Sequence, residues 1–303
     1  MKNLKEKFIY ALAPMAGVTD FGFRKICADF GADMVVSEMI SVKALENKSF
    51  KTEKMLREES SAIRGCQLFG HETKSIETAL KTNLFDHYDF IDFNCGCPAP
   101  KIVKNNDGSA MMRDIEKTRE VITCLVKNSK KPVSVKFRLG IEDNINYIEF
   151  AKMCEDCGVS FITLHARTRE QGYSGEVDKT AYQKLINTVN IPVFWSGDIA
   201  TKEDVEFAKS IGCAGVMIGR NAMGNPEIFS NLKGINPPYS KKEAIKKHLE
   251  LLKTYFRYEK TLVAYFKKHL MWYVKSMINA TSTKIKILEF TTLKEVESLI
   301  ETL

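Results

Sequence analysis

Eight short apolar runs recur along the first three quarters of the chain, each followed by a longer amphipathic stretch, and this alternation constrains the fold more than any other feature. The runs are Phe8 to Ala13, Asp33 to Glu38, Ala62 to Leu68, Tyr88 to Asn94, Pro132 to Arg138, Ser160 to His165, Pro192 to Ser196 and Ala214 to Ile218. Helix-like stretches lie between them at Asp20 to Phe30, Glu72 to Thr82, Ile115 to Asn128, Asn146 to Cys157, Lys179 to Thr188 and Lys202 to Ile211. Alternating strand and helix argues for parallel strands joined by helical crossovers. Eight repeats in about 230 residues fit a closed (β/α)8 TIM barrel. The competing α/β arrangement is an open doubly wound sheet, but no G-x-G-x-x-G follows the first run and no G-x-x-x-x-G-K-[ST] occurs.

Regularity breaks near Lys233 to Ser240, where Gly234, Pro237 and Pro238 cluster. From Tyr239 to Leu303 there is neither Gly nor Pro, and Ser240 is placed to cap a helix. A barrel over 1–235 followed by a small all-helical domain over 236–303 is expected. The 44% apolar content of 303 residues is enough to fill both. No apolar run reaches the roughly 18 residues of a membrane span, and the charged start, Met1 to Lys7, precedes no signal-peptide core. A cytoplasmic protein without a membrane partner is expected. Nothing in the sequence calls for an obligate protein partner.

Charge is distributed unevenly. Residues 241–303 carry 13 basic against 7 acidic side chains, so +6 of the formal +7 falls in the last fifth of the chain. That asymmetry suits a polyanion, although a basic solvated surface would look alike. Eight scattered cysteines are expected to be reduced thiols, and the lone pair Cys154 and Cys157 lacks the second ligand pair of a zinc site, so no metal is expected.

Polar residues recur where the strands should end, which in such barrels is the rim that carries active sites. They are Gln67, Asn94, Lys136 and Arg138, His165 and Arg167, Ser196-Gly197-Asp198, and Gly219-Arg220. A single buried lysine is most often one half of an ion pair, here with Asp92 as its candidate partner. Two cations and a histidine on one rim are better explained by a polar or anionic ligand, because burying unpaired charge costs several kcal/mol or more. Gly219-Arg220 beside Ser196-Gly197-Asp198 suits a phosphate at the position where barrels commonly hold one. At the fourth strand's end, Gly96 and Pro98 flank Cys97 and should present its thiol on a stiff turn.

Taken together, Ala13-Pro-Met-Ala-Gly-Val-Thr-Asp20, Asp92-Phe-Asn-Cys-Gly-Cys-Pro98, Gly108-Ser-Ala110, Lys136-Phe-Arg138, His165-Ala-Arg-Thr-Arg169 and Ile218-Gly-Arg-Asn-Ala-Met-Gly-Asn-Pro226 resemble the tRNA-dihydrouridine synthase family. Lys268-His269 followed by Trp272-Tyr273 resembles the helical domain of its bacterial B-type branch. The resemblance implies FMN held by Pro14, Met15, Ala16, Gln67, Lys136, His165, Ser196, Gly197, Asp198, Gly219 and Arg220. Ser196 stands where relatives often have Asn. It also implies Cys97 as the catalytic acid, Asn94, Arg138 and Arg167 near the target uracil, and tRNA contacts at Lys267, Lys268 and His269. NADPH or NADH would reduce the flavin. The remaining alternatives are a flavin barrel acting on free dihydropyrimidines or dihydroorotate, and a tRNA-binding module without chemistry.

Overall fold

The computed structural model describes residues 6–142 and 144–303. Residues 1–5, on which the reading of the charged start partly rests, lie outside the described residues. The nine strands of the described residues are β1 (Ile9–Leu12), β2 (Met34–Val36), β3 (Ile40–Ser41), β4 (Ile63–Phe69), β5 (Phe90–Cys95), β6 (Val133–Arg138), β7 (Phe161–His165), β8 (Val193–Ser196) and β9 (Gly215–Ile218). Parallel pairing runs β1, β2, β4, β5, β6, β7, β8, β9 and back to β1, closing an eight-stranded barrel. The eight expected runs are those eight strands. The two-residue β3 is the addition: it pairs Ile40 with Leu68 and Ser41 with Phe69, extending the wall beyond the end of β2.

Strand alternation sorts the side chains into two cores. Tyr10, Leu12, Val35, Ile91, Phe93, Val135 and Leu164 pack outward under the helices. Ile9, Ala11, Ala13, Met34, Val36, Phe90, Phe161, Phe194 and Met217 fill the barrel's lower interior. Three phenylalanines form a plug there, with Phe161 5.2 Å from both Phe90 and Phe194 between ring centroids. Gly65 makes room for it, since a Cβ at that position would lie 2.2 Å from the Phe90 ring. With the lower interior filled by apolar rings, the polar inward residues are left at the upper end, where β4 to β9 finish.

The chain beyond the barrel is helical, over Lys241–Lys253, Glu259–Tyr273, Ala280–Glu289 and Leu293–Thr302. Ser240 and Glu243 form a reciprocal capping box at the first of these, and Thr292 and Glu295 form another at the last. The Lys241–Lys253 helix lies against Phe21–Asp29, the first barrel helix, with Ile26, Phe30 and Ala244 buried between them. No described helix is long and apolar enough to cross a membrane.

The joint is polar at its centre. Asp20 caps the Phe21–Asp29 helix by accepting from the Phe23 N–H (2.9 Å). The same carboxylate meets His248 Nε2 at 3.1 Å and His269 Nε2 at 2.9 Å, both imidazoles belonging to the tail. Tyr265 donates to its second oxygen (3.3 Å), and the Tyr273 hydroxyl sits 3.0 Å from His248 Nδ1. Burial would raise the Asp20 pKa, yet the two imidazoles outweigh it and hold the carboxyl well below its ordinary range. Gly224 gives the second close contact. Its φ is +65°, and a Cβ there would fall 2.2 Å from the Trp272 carbonyl carbon, so the turn after β9 rests directly on the backbone of the Glu259–Tyr273 helix.

Candidate active site

Above the phenylalanine plug the barrel opens into a cavity of about 450 Å³, within the range of small-ligand sites. Pro14, Met15, Ala16, Gln67, Lys136, His165, Ser196, Gly197, Asp198, Gly219 and Arg220 all line it, as do Asn94, Cys97 and Arg138. Residues from seven strand ends or the loops that follow them therefore converge on one chamber.

Cys97 lies just past β5 on a turn held from both sides. The Gly96 and Cys97 N–H groups donate to Asn94 Oδ1 (3.2 and 2.9 Å), and the Cys97 carbonyl accepts from the Ser109 N–H (3.0 Å). Gly108, at φ +61°, abuts this turn so closely that a Cβ would lie 2.8 Å from the Cys97 carbonyl oxygen. Burial pushes the Cys97 thiol up, which keeps it protonated at neutral pH. Its neighbour Cys95 points the other way, fully buried in the barrel wall.

The cations of the mouth are held differently from one another. Lys136 is not paired with Asp92, whose oxygens take hydrogen bonds from Gln67 Nε2 (2.6 Å) and Ser134 Oγ (2.6 Å). Burial, reinforced by Arg138, lowers the Lys136 pKa to about 8. Arg138 donates through Nε to the Gly96 carbonyl (2.8 Å), and through one Nη to those of Thr168 (2.9 Å) and Gly172 (2.8 Å). Arg220 reaches Asp198 Oδ1 at 2.6 Å. Burial and the cations Lys136, Arg138, Arg167 and Arg220 drive the His165 pKa far below its usual range, so this imidazole is neutral. A chamber so rich in positive charge fits an anionic ligand. Gly219 supplies space: a Cβ there would stand 3.7 Å from both Ala13 Cβ and Met15 Sδ, in the gap between the first and last strand ends.

Two expected site residues are placed elsewhere. Arg167 is buried outside the chamber, where it donates to the Ser174 carbonyl (3.1 Å), the Gly175 carbonyl (2.6 Å) and the Asp198 carboxylate. Its Nη1 still lies 3.4 Å from His165 Nε2, so Arg167 backs the ring that lines the chamber without lining it. His269 is buried in the joint against Asp20 and is not available to RNA in this conformation. Lys267 donates to the Leu288 and Phe290 carbonyls (2.5 and 3.0 Å), closing the end of the Ala280–Glu289 helix. Lys268, one step further round the same helix, is exposed.

The sequence reading passed over Tyr173. Its ring lines the chamber with the guanidinium of Arg220 4.6 Å and that of Arg138 5.5 Å from its centroid. The available signal was a single aromatic in the polar, glycine-flanked loop Gln171-Gly-Tyr-Ser-Gly175. Asp20, His248 and His269 have ligating atoms within 4.8 Å of one another, a spacing a metal ion can use. Hydrogen bonds with the Phe23 N–H, His248 and Tyr265 satisfy Asp20, and His248 also meets Tyr273, while His269 Nε2 faces Asp20 Oδ2 at 2.9 Å outside hydrogen-bond geometry.

A second, larger cleft of about 970 Å³ lies between the barrel and the tail. Phe21, Glu38, Phe50, Lys51 and Lys54 line one side, and Tyr255, Phe256, Arg257, Tyr258, Tyr265 and Lys268 the other. Glu38 precedes Met39, which lines the barrel chamber, so the two cavities adjoin along the chain.

Comparison with known proteins agrees with this architecture. Morphinone reductase superposes with a TM-score of 0.55 at 10% identity, covering 78% of this chain and 89% of its own. An old yellow enzyme homologue from Zymomonas mobilis gives 0.53 at 14%, covering 72% and 86%. Both likenesses establish the barrel fold. In sequence, a probable tRNA-dihydrouridine synthase of Rickettsia conorii is 36% identical over 284 residues, 89% of this chain and 85% of that protein. The tRNA-dihydrouridine synthase B of Vibrio vulnificus is 34% identical over 286 residues, 90% and 88%. The sequence profile of the Dihydrouridine synthase (Dus) family matches residues 11–302, and the chain belongs to that family.

Proposed function

We propose that this protein is a tRNA-dihydrouridine synthase of the bacterial B type, which reduces the C5–C6 double bond of uridines in tRNA. The observation that carries the reading is the placement of one protonated thiol, Cys97, at the edge of a cationic chamber lined by every residue expected to hold FMN. Pro14, Met15 and Ala16 would cover one face of the flavin, Gln67, Lys136 and His165 would meet its polar edge, and the 196–198 turn with Gly219 and Arg220 would take its phosphate. A flavin held by these residues and reduced by NADPH or NADH would supply hydride for C6 of the uracil.

The protein's own groups do the rest. Cys97 gives its proton to C5, so that hydride and proton together saturate the bond and leave a thiolate to be reprotonated from solvent. Lys136 would offset negative charge on a flavin bound in the chamber. Arg138, already fixed by three carbonyls, stands with Asn94 beside the thiol to orient the base. Arg220 can meet a phosphate by loosening its contact with Asp198.

A uracil must leave its stack to enter such a chamber, at a cost of a few kcal/mol that looped RNA reduces. We assign residues 1–235 to the flavin-binding barrel and 236–303 to tRNA binding, with the RNA lying along the aromatic and basic cleft between them. Exposed Phe50 and Tyr258 offer surfaces for stacking, and Lys51, Arg257 and Lys268 offer charge for phosphates. Many other tail lysines are engaged within the protein: Lys242 and Lys246 with Glu301, Lys253 with Glu250 and Glu297, and Lys247 over the Tyr239 ring.

The test is to incubate purified protein with NADPH and unmodified tRNA and to map dihydrouridine along the product. New dihydrouridine at discrete positions is expected. Turnover of free uracil compounds with none on tRNA would instead identify an oxidoreductase of free pyrimidines, and tRNA affinity without bound flavin would identify a binding module.

A further inference from the structure

Beneath the chamber floor, a carboxylate that touches neither cavity nor thiol begins a hydrogen-bonded chain that ends on the Cys97 turn. Gln67, Asp92 and Ser134 are register partners on three adjacent strands, β4, β5 and β6. Asp92 accepts from Ser134 Oγ (2.6 Å) and from Gln67 Nε2 (2.6 Å). Gln67 Oε1 accepts from Asn94 Nδ2 (2.9 Å), and Asn94 Oδ1 accepts from the Gly96 and Cys97 N–H groups (3.2 and 2.9 Å). Asp92, Gln67 and Asn94 are all buried.

The two ends of this chain admit a single direction. An ionised carboxylate can only accept, and two backbone N–H groups can only donate. Between them stand two side-chain amides, each with one accepting and one donating end. The only arrangement that leaves no like ends facing each other is the one observed. An amide at 92 can turn its own NH2 toward Gln67, and in that arrangement both intervening amides must reverse, which sets the Asn94 NH2 against the two N–H groups of the turn. A buried mismatch of that kind is costly, so the turn would move.

We infer that Asp92 is a positioning residue for Cys97, fixing the orientation of Gln67 and Asn94 and through them the turn that carries the thiol. The role of Cys97 as the proton donor rests on the function proposed above; the positioning itself does not. Neutralising Asp92 therefore alters how the thiol is presented before any substrate is involved.

The experiment uses the full-length, flavin-loaded protein and Asp92→Asn. Iodoacetamide labelling followed by peptide mapping gives the alkylation rate of Cys97, with the half-exposed Cys124 and Cys157 as internal references. The Cys97 rate is expected to change at least threefold relative to those references, with flavin content retained and turnover on tRNA at least tenfold lower. A folded Asp92→Asn protein with unaltered Cys97 labelling overturns the inference. Changed labelling with unaltered turnover upholds the positioning and removes Cys97 from the chemistry, which separates the two claims. Should Asp92→Asn fail to fold, the exchange Asp92→Asn with Gln67→Glu decides: it returns an acceptor-only group to face Asn94 and should restore folding and Cys97 labelling. If the exchanged protein also fails to fold, Asp92 acts merely as a core residue and the inference is lost.

Discussion

Two regions of this molecule bury ionisable groups, and they do so in opposite ways. At the barrel mouth Lys136 has no carboxylate partner among the described residues, burial lowers its pKa to about 8, and burial with the surrounding cations keeps His165 neutral. At the joint between barrel and tail Asp20 is surrounded by His248, His269, Tyr265 and the Phe23 N–H, and its pKa is driven down. Uncompensated charge in the first region marks a place reserved for a ligand. Compensated charge in the second marks a place where the protein completes itself. The same residue types thus serve chemistry in one region and cohesion in the other, and the difference is visible only in what surrounds them.

The largest effect expected from this contrast is on catalysis at the mouth. Cys97→Ala should lower dihydrouridine formation by about 100-fold or more, the usual contribution of a general acid. Flavin content, flavin reduction by NADPH and melting temperature should stay close to those of the parent protein. Parent-level turnover by Cys97→Ala on unmodified tRNA would remove the thiol from the mechanism.

Next comes the joint. His269→Ala empties a buried ring site beside Asp20, and truncating a buried ring to Ala typically costs about 3 to 5 kcal/mol. Denaturant unfolding should register a loss of that order, with flavin retained in the folded fraction. A variant that unfolds like the parent but binds tRNA weakly would return His269 to the RNA-binding surface and erase the contrast.

A third prediction sets Lys136→Met against His269→Ala. Because the folded-state pKa of Lys136 is lowered from 10.5 to about 8, the folded protein holds fewer protons than the unfolded chain between those values. Stability of the flavin-stripped protein should therefore rise as pH climbs through that window, by up to about 3 kcal/mol from this lysine. Lys136→Met should abolish that rise while weakening flavin binding, so removing this half-buried basic group relieves the protein where His269→Ala harms it. Unfolding curves at pH 7.5 and 10 compare the two directly, and an unchanged pH slope in Lys136→Met would count against an unpaired lysine.

The smallest effect concerns surface charge. Lys268→Glu, which places an anion in the cleft between barrel and tail, should weaken tRNA binding severalfold and more so at low salt. Lys246→Glu, at a lysine already 2.6 Å from Glu301, should weaken it less. Equal losses in the two would mean that the tail acts through bulk charge and not through the cleft.

Much of the fold was legible in the sequence because alternation is a strong signal: each apolar run is a barrel strand and each amphipathic stretch is a helix to within a few residues. The chamber was legible because its ligands sit at strand ends, where position along the chain also fixes height in the barrel. Placement departs from expectation where that coupling ends. Arg167 lies two residues past His165, the last paired position of its strand, so the chain had already turned. Lys268 and His269 are consecutive on one helix and hence about 100° apart around it, one facing solvent and the other the joint. Sequence spacing fixes that angle but not which of the two faces inward. Tyr173 was missed because its importance lies in the guanidinium groups brought to it from β6 and from the turn after β9.

The contact at Gly224 bears on how this enzyme can be re-engineered. With the turn after β9 pressed against peptide groups at Trp272 and Tyr273, the tail cannot be traded for another as an independent module. A chimaera that grafts a relative's C-terminal helices onto this barrel would have to carry over a glycine-compatible groove opposite position 224 and the histidines that meet Asp20. Recombination that matches only the linker would wedge the two halves apart, so viable crossover points fall inside the barrel, upstream of β9.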